Sequence, residues 1–483
     1  MEIIGSLILS IIQSILFYGK QIGISMLIFE IVCNGIILFV LNKKEKIQNK
    51  AGLWLMVPIV LLSSTYFIFA NRTFYVANIF VIFALNFIMY VILTNQKGTL
   101  TNYLYKTGLL FTDTVGEWQD GLKLSEKVAN EHLSVKKKTV NFKKIAKSVL
   151  IVCVVVGIVL ILLSSADSIF ANLFSGIGRI FTHINTANTF NLILRIVIIV
   201  MVYFLFLSFI LKLQEELEED EYTHKVEEKD TFTIKILLVT LNIVYLIFCF
   251  IQIQSLFARI NIQDSFDYAN YARRGFFQLM FVSFINLAVI LISNRYNAKK
   301  EKNIKILNLM LVVFTIIIAI SSMYRMHMYE MEYGLTYLRM FVYIILITEI
   351  IAFIPIVKYI LDDKFDFMKW CFGICIGAYC VANLMNIENI IVSRNLTRES
   401  IRSIDYNYLS NIASEDSYII LEDKLQDQNI DLKEETAIEN ILINIKKNEK
   451  QLSWQEFNIS KMRIQKRRTN IQRMNEILYD LYY

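Results

Sequence analysis

The chain has 483 residues, 55% hydrophobic and only 19% charged, with a mean hydropathy of +0.49 and a formal charge of +6. That is too apolar for a soluble enzyme of this size. Runs such as 149–163 and 304–320, apolar almost without interruption, also exclude the two-residue alternation of a membrane barrel, which leaves an all-α, polytopic transmembrane helical bundle. The positive charge sits in the connections between apolar runs, so it reads as an orientation signal, and a lipid bilayer rather than nucleic acid is the partner it implies.

Eleven spans are expected in chain order: 2–18, 21–41, 53–70, 74–94, 145–165, 190–212, 232–257, 276–294, 303–324, 335–361 and 367–386. Each is near the ~20 residues that a helix needs to cross ~30 Å of hydrocarbon. The first is short enough to lie at the interface instead. It starts directly after Glu2 with no basic segment before it, which reads as a retained anchor. Pro58 and Pro355 fall inside spans three and ten, where a kink is tolerated if neighbours pair the freed backbone. All six cysteines lie in apolar spans and the four histidines are scattered, so neither a metal nor another cofactor is expected.

Basic residues alternate along the loops. Those after the even-numbered spans hold Lys43 to Lys50, ten lysines from Lys97 to Lys147, Lys212 to Lys235, Arg295 to Lys305, and Lys358 to Lys369. The intervening loops carry only Lys20, Arg72, Arg179, Arg259, Arg273, Arg274 and Arg325. Because short cytoplasmic loops retain Lys and Arg, the N-terminus is expected inside the cell membrane and the tail outside. The expected organisation is a bundle over 1–386, with long cytoplasmic loops at 95–147 and 213–231, and an extracytoplasmic tail over 387–483. The first loop mixes aromatic residues with Lys136, Lys137 and Lys138, as a juxtamembrane amphipathic segment does, and the second is an acidic run without a calcium-loop pattern. In the tail, Leu409, Ile412, Ile438, Ile441, Leu442 and Ile445 recur at helical spacing with no Pro or Gly between them, which predicts helices over most of 387–420 and 433–480.

Ionisable residues at the bilayer edge are costly and so mark candidate sites. Asp167, Asp267, Arg273, Arg274, Arg325, Glu330, Glu332 and Arg339 all fall at the outer face of this topology, with Tyr324, Tyr329, Tyr333 and Tyr337 interleaved. They are expected to approach one another, and Glu332 and Arg339 share a face if their segment is helical throughout. An interfacial belt of snorkelling side chains is the plainer alternative. Deeper in the bundle, Glu30, Arg195 and Glu349 are candidate intramembrane charges, the last two a candidate pair. Asn34, Asn86, Asn242 and Asn286 read as interhelical glue.

Two stretches carry a family resemblance. One is Asp267-Tyr268-Ala269-Asn270-Tyr271-Ala272-Arg273-Arg274-Gly275-Phe276-Phe277-Gln278-Leu279. The other runs from Tyr324-Arg325 through Tyr333-Gly334-Leu335-Thr336 to Leu338-Arg339. With Ala70-Asn71-Arg72, Ser165-Ala166-Asp167, Asn386-Ile387-Glu388, Arg394-Asn395-Leu396, Asp405-Tyr406-Asn407-Tyr408-Leu409 and Phe457-Asn458-Ile459-Ser460, the chain from about residue 60 onward resembles a family of bacterial multi-span membrane proteins catalogued only as a domain of unknown function. The resemblance implies membrane location and architecture. It brings no activity.

Three functions fit the sequence: an envelope-facing sensor or scaffold whose tail binds an envelope partner, a permease for a small solute or ion, and an enzyme acting on a lipid-linked ligand at the outer face. Whether it is an enzyme is not legible, and no phosphate loop, nucleophile elbow or zinc motif is present. The topology is directly testable. Reporter fusions placed within 95–147 and after residue 400 should give opposite signals, and matching signals would reject it.

Overall fold

In a computed structural model, the described residues are 1–96, 98–116, 186–215, 231–257, 265–297, 301–362, 364–398, 404–427, 430–447 and 452–467. Among them every regular element is helical. Nine helices are long and apolar enough to cross a membrane, and a tenth, α1 (Glu2–Phe17), is apolar but shorter. The expected span 145–165, most of the 95–147 loop and the acidic run lie outside the described residues. The chain divides into two compact units.

The first unit comprises residues 1–54, 86–97 and 103–217. Here α1 packs on α2 (Ile24–Lys43) and on α6 (Thr186–Lys212). Small residues, Gly5, Ser6, Ser10 and Ser14, are buried along α1 and allow close helix approach where lipid offers no hydrophobic drive. Lys44 at the end of α2 pairs with Glu2 at 3.0 Å, which ties the two helix ends together. The first part of the 95–147 loop forms α5 (Leu100–Gly116), which buries Leu110 and presents its Thr114 carbonyl to Ser208 of α6 at 3.1 Å.

The second unit comprises 55–85, 98–102 and 218–483. It holds α3 (Met56–Ile68) and most of α4 (Tyr75–Thr94), then α7 (Thr231–Phe257), α8 (Ser265–Arg295), α9 (Lys302–Tyr333), α10 (Tyr337–Leu361) and α11 (Phe367–Leu384). Helix α9 is central, packing against α7, α8 and α10, while α10 also packs on α11 and α11 on α3. At 32 residues α9 is ~48 Å long, well beyond the ~30 Å of hydrocarbon, so its last turns carry Arg325, Glu330 and Glu332 as a helical extension rather than as a loop. Pro58 lies in the first turn of α3, where its missing N–H has no helical role, whereas Pro355 is interior to α10.

Polar residues between these helices act as the expected glue. Asn242 of α7 donates to the Leu307 carbonyl of α9 at 3.2 Å. Asn286 of α8 accepts from Tyr245 at 2.7 Å and donates to Thr315 at 3.1 Å, so one amide links three helices.

After α11 the chain turns at Asn386, whose left-handed backbone (φ 47) an Asn tolerates better than most residues, and whose side chain caps α12 (Ile387–Leu396). The tail continues as α13 (Tyr406–Ile412), α14 (Tyr418–Leu425), α15 (Leu432–Lys447) and a last helical stretch over 459–467. Leu409, Ile438, Ile441, Leu442 and Ile445, picked out by spacing, form one core with Val392, Tyr418, Leu421 and Ile464, with Ile412 packed against it. Helices occur in both predicted stretches. Leu421 is fully buried in this core, so Leu421→Ala should cost about 2–5 kcal/mol and raise amide exchange across α14 and α15 before the membrane helices respond.

Candidate functional site

The second unit gathers two short turns and the tail at one face. The first turn joins α3 to α4, and the second, Gly334-Leu335-Thr336, joins α9 to α10. A helix end exposes backbone N–H and C=O groups that need partners. At both turns, side chains of the tail supply them.

At the second turn α9 stops because Gly334 takes φ +81, a left-handed conformation that favours glycine, and a Cβ there would strike the Asn395 side chain. Asn395 of α12 pairs with both backbone groups of Leu335. Its Oδ1 accepts from the Leu335 N–H and its Nδ2 donates to the Leu335 carbonyl, each at 2.8 Å. Thr336 caps the start of α10, and the Tyr337 N–H donates to the Tyr408 hydroxyl of α13 at 2.9 Å.

At the first turn, Asp416 accepts from the N–H groups of Ala70 at 3.0 Å and Asn71 at 2.9 Å. The Asn71 amide in turn donates to the Tyr337 hydroxyl, which joins the two turns. Asn458 donates to the carbonyls of Tyr66 at 3.1 Å and Phe69 at 2.8 Å, and Ser460 to that of Ile68 at 3.1 Å, so the exposed end of α3 is covered.

Between these clamps lies Glu388, with no exposed surface. Its carboxyl accepts from the Ser414 N–H at 2.6 Å, the Ser414 hydroxyl at 2.7 Å and the Ser417 hydroxyl at 2.7 Å. Burial pushes it up to about 7, against the lowering effect of those hydrogen bonds and with help from the neighbouring Asp416. Burial also raises Asp416 above its ordinary range.

The sequence candidates are distributed as follows. Arg339 is buried, donates to the Gly334 carbonyl and lies over the Tyr329 ring with 4.2 Å from guanidinium carbon to centroid. The helix break at Gly334 means that Glu332 and Arg339 do not share one continuous helical face. The Glu332 backbone carbonyl instead accepts from Arg398 at 3.0 Å. Glu330 accepts from the Tyr343 hydroxyl at 2.9 Å and lies 3.4 Å from Arg394 and 3.7 Å from His327. Arg325 donates to Gln252 of α7 at 3.1 Å. Asp167 and the side chains of Asp267, Arg273 and Arg274 lie outside the described residues.

Of the deeper charges, Glu30 accepts from Asn86 at 2.8 Å and Asn34 at 3.2 Å, and Asn34 accepts from Tyr90 at 2.6 Å. Arg195 takes Ser14 at 2.8 Å, and Glu349 takes Ser283 at 2.8 Å. Among the described residues, no group of three His, Cys, Asp or Glu could hold a metal ion.

Site residues missed by reasoning from charge are mostly uncharged or lie in the tail: Asn395, Tyr408, Asn458, Ser414, Ser417, Glu388, Arg394 and Asp416. The signal for Glu388, Arg394, Asn395, Tyr408 and Asn458 was the short strings Asn386-Ile387-Glu388, Arg394-Asn395-Leu396, Asp405-Tyr406-Asn407-Tyr408-Leu409 and Phe457-Asn458-Ile459-Ser460. Ser414, Asp416 and Ser417 gave none.

Among the described residues, nine long apolar helices and a helical tail fastened to two of their turns define the class: a polytopic, multi-pass helical membrane protein. The family model described as Domain of unknown function (DUF4153) matches residues 56–423, and the chain belongs to that family. No curated protein and no solved structure matches it.

The buried Glu388 gives the clamp a pH dependence whose sign is fixed. A carboxyl raised from 4.5 to about 7 favours the protonated form when docked. Docking is therefore firmest below the unfolded value, weakens as pH rises from 4.5 to about 7, and changes little above. Asp416 acts in the same direction, and Tyr337 also lies close enough to interact with Glu388. Corrected for the intrinsic base-catalysed rate, amide exchange of α12 to α14 should accelerate over that window in the wild type. In Glu388→Gln most of the acceleration should vanish.

Proposed function

We propose that the protein is an envelope-facing sensor or scaffold. Its bundle anchors the helical tail at the outer face of the cell membrane, and the tail offers its surface to an envelope partner. One observation carries this reading. The tail has a hydrophobic core of its own and is bound to backbone atoms of both turns, so the bundle serves as its mount. The charged candidates Arg325, Glu330, Glu332 and Arg339 then belong to the rigid base of that mount, and Asp167, Asp267, Arg273 and Arg274 are assigned to the same outer face.

Glu30 favours this reading over a permease. Its carboxylate accepts from two neighbouring amide side chains, an arrangement suited to helix packing.

The test uses the phenotype of a deletion strain complemented with single variants. Asn458→Leu leaves the Tyr66 and Phe69 carbonyls without their side-chain donor, and Asn395→Leu does the same to both groups of Leu335. Each should cost about 1–3 kcal/mol per stranded buried group and loosen the tail while leaving membrane insertion intact. A scaffold then loses complementation in both, and retains it in Glu30→Gln and Glu349→Gln. The opposite pattern, with clamp variants active and carboxamide variants inactive, would replace the scaffold with a transport role. Arg339→Lys adds a second readout. It keeps the charge but loses the planar guanidinium over Tyr329, and should weaken complementation partially if rigidity of the mount matters.

A further inference from the structure

An open groove of about 600 Å³ runs between α9 and α10. Its walls are Ile320 and Met323 on α9 and Ile347 and Ile350 on α10. Ile320 is 54% and Ile347 45% exposed on helices long and apolar enough to span, so the groove opens toward the lipid rather than into the bundle. From Ile320 to His327 it follows α9 for ~10 Å.

The end of the groove nearest the Gly334 turn is polar. His327, Glu330 and Tyr343 close it, and Arg394 of α12 lies 3.4 Å from the Glu330 carboxylate. Glu330 is only 10% exposed, and one of its oxygens already accepts from the Tyr343 hydroxyl. The Arg394 side chain is 50% exposed, with Nε toward Glu330 and one terminal nitrogen 3.5 Å from the Met331 sulfur. Glu330, Arg339 and Arg394 all lie within electrostatic range of the Tyr343 hydroxyl, which makes two guanidinium groups against one carboxylate. An apolar channel that begins in the hydrocarbon and ends at a net positive, half-exposed guanidinium matches one ligand chemistry, an acyl chain joined to a phosphate.

We propose that the groove between α9 and α10 holds an acyl chain of one phospholipid, and that the lipid phosphate docks on Arg394 beside His327. Arg394 belongs to the first tail helix, so the bound lipid would touch membrane helix and tail together. The inference does not depend on the scaffold reading, since it concerns binding alone.

Native mass spectrometry of the detergent-purified full chain, titrated with phosphatidylglycerol or with stearic acid, tests it. The expected wild-type result is one phosphatidylglycerol retained at activation energies that strip the rest, with stearic acid retained far less. Ile347→Trp should abolish the retained lipid by filling the groove. Arg394→Gln should weaken it about tenfold, the loss of roughly one charge-assisted hydrogen bond, and Arg394→Lys should recover most of that. Ile243→Trp, on the exposed face of α7, should change nothing. Arg394 is half-exposed, so its variants keep the fold even if Ile347→Trp does not, and a thermal unfolding curve checks both. Undiminished binding in Arg394→Gln, or equal retention of stearic acid, would reduce the groove to an apolar crevice and overturn the phosphate site. A wild-type dimer converted to monomer by Ile347→Trp, with lipid retention unchanged, would assign the groove to a second copy and overturn the proposal outright.

Discussion

A membrane helix that ends at the edge of the hydrocarbon leaves its terminal carbonyls or N–H groups to whatever lies there. Water is one partner. In the second unit of this protein the partners are side chains from the far end of the chain, and much else follows from that choice. Asn395 reproduces the pairing of a neighbouring strand, one donor and one acceptor matched to a single residue's backbone. Asp416 and Asn458 divide the task at the other turn, the carboxylate taking N–H groups and the amide giving to carbonyls. Each of these side chains matches the polarity of the groups it meets, so the tail has one seating that satisfies them all.

The seating also explains why the link between α9 and α10 is so short. Gly334 turns the chain sharply, and the space its missing side chain leaves is the space Asn395 occupies. A longer loop would have carried more backbone to satisfy and would have displaced the amide. Arg339, held over Tyr329 and bound to the Gly334 carbonyl, fixes the turn from the bundle side while Asn395 fixes it from the tail. Within the bundle the same economy recurs at Asn286, which joins Tyr245 and Thr315, and at Glu30, which gathers Asn34 and Asn86.

The helical class and nine of the spans, those long enough among the described residues, were legible because bilayer thickness imposes a length and a composition on each segment, and both are written locally. The tail core was legible for a similar reason: the spacing of Ile438, Ile441, Leu442 and Ile445 marks one helix face wherever that helix docks. The clamps were not. Asn395 and Asn458 are ordinary residues on amphipathic segments, and their partners are backbone groups that have no sequence identity to search for. Charge drew attention to Arg339 and Glu330, but it suggested a partner for Arg339 by helical spacing, and Gly334 broke the spacing. Glu388 was visible only as part of a motif, since nothing local tells a buried glutamate from a solvated one.

The hydrogen bonds of Asn458 to Tyr66 and Phe69 join residues 392 and 389 positions apart. Synthesis at ~5–20 residues per second puts roughly 20–80 s between the emergence of α3 and that of the side chain that completes its end. For that interval the first turn of the second unit must stay with water, lipid headgroups or a helper protein, while the intervening spans insert. The end of α3 is thus sealed by residues made long after it, and Asn458 lies beyond the 56–423 stretch that the family model matches. A nascent chain released early would carry nearly every membrane helix and yet keep both Tyr66 and Phe69 open, which gives quality-control machinery a chemical mark of incompleteness on an otherwise inserted protein.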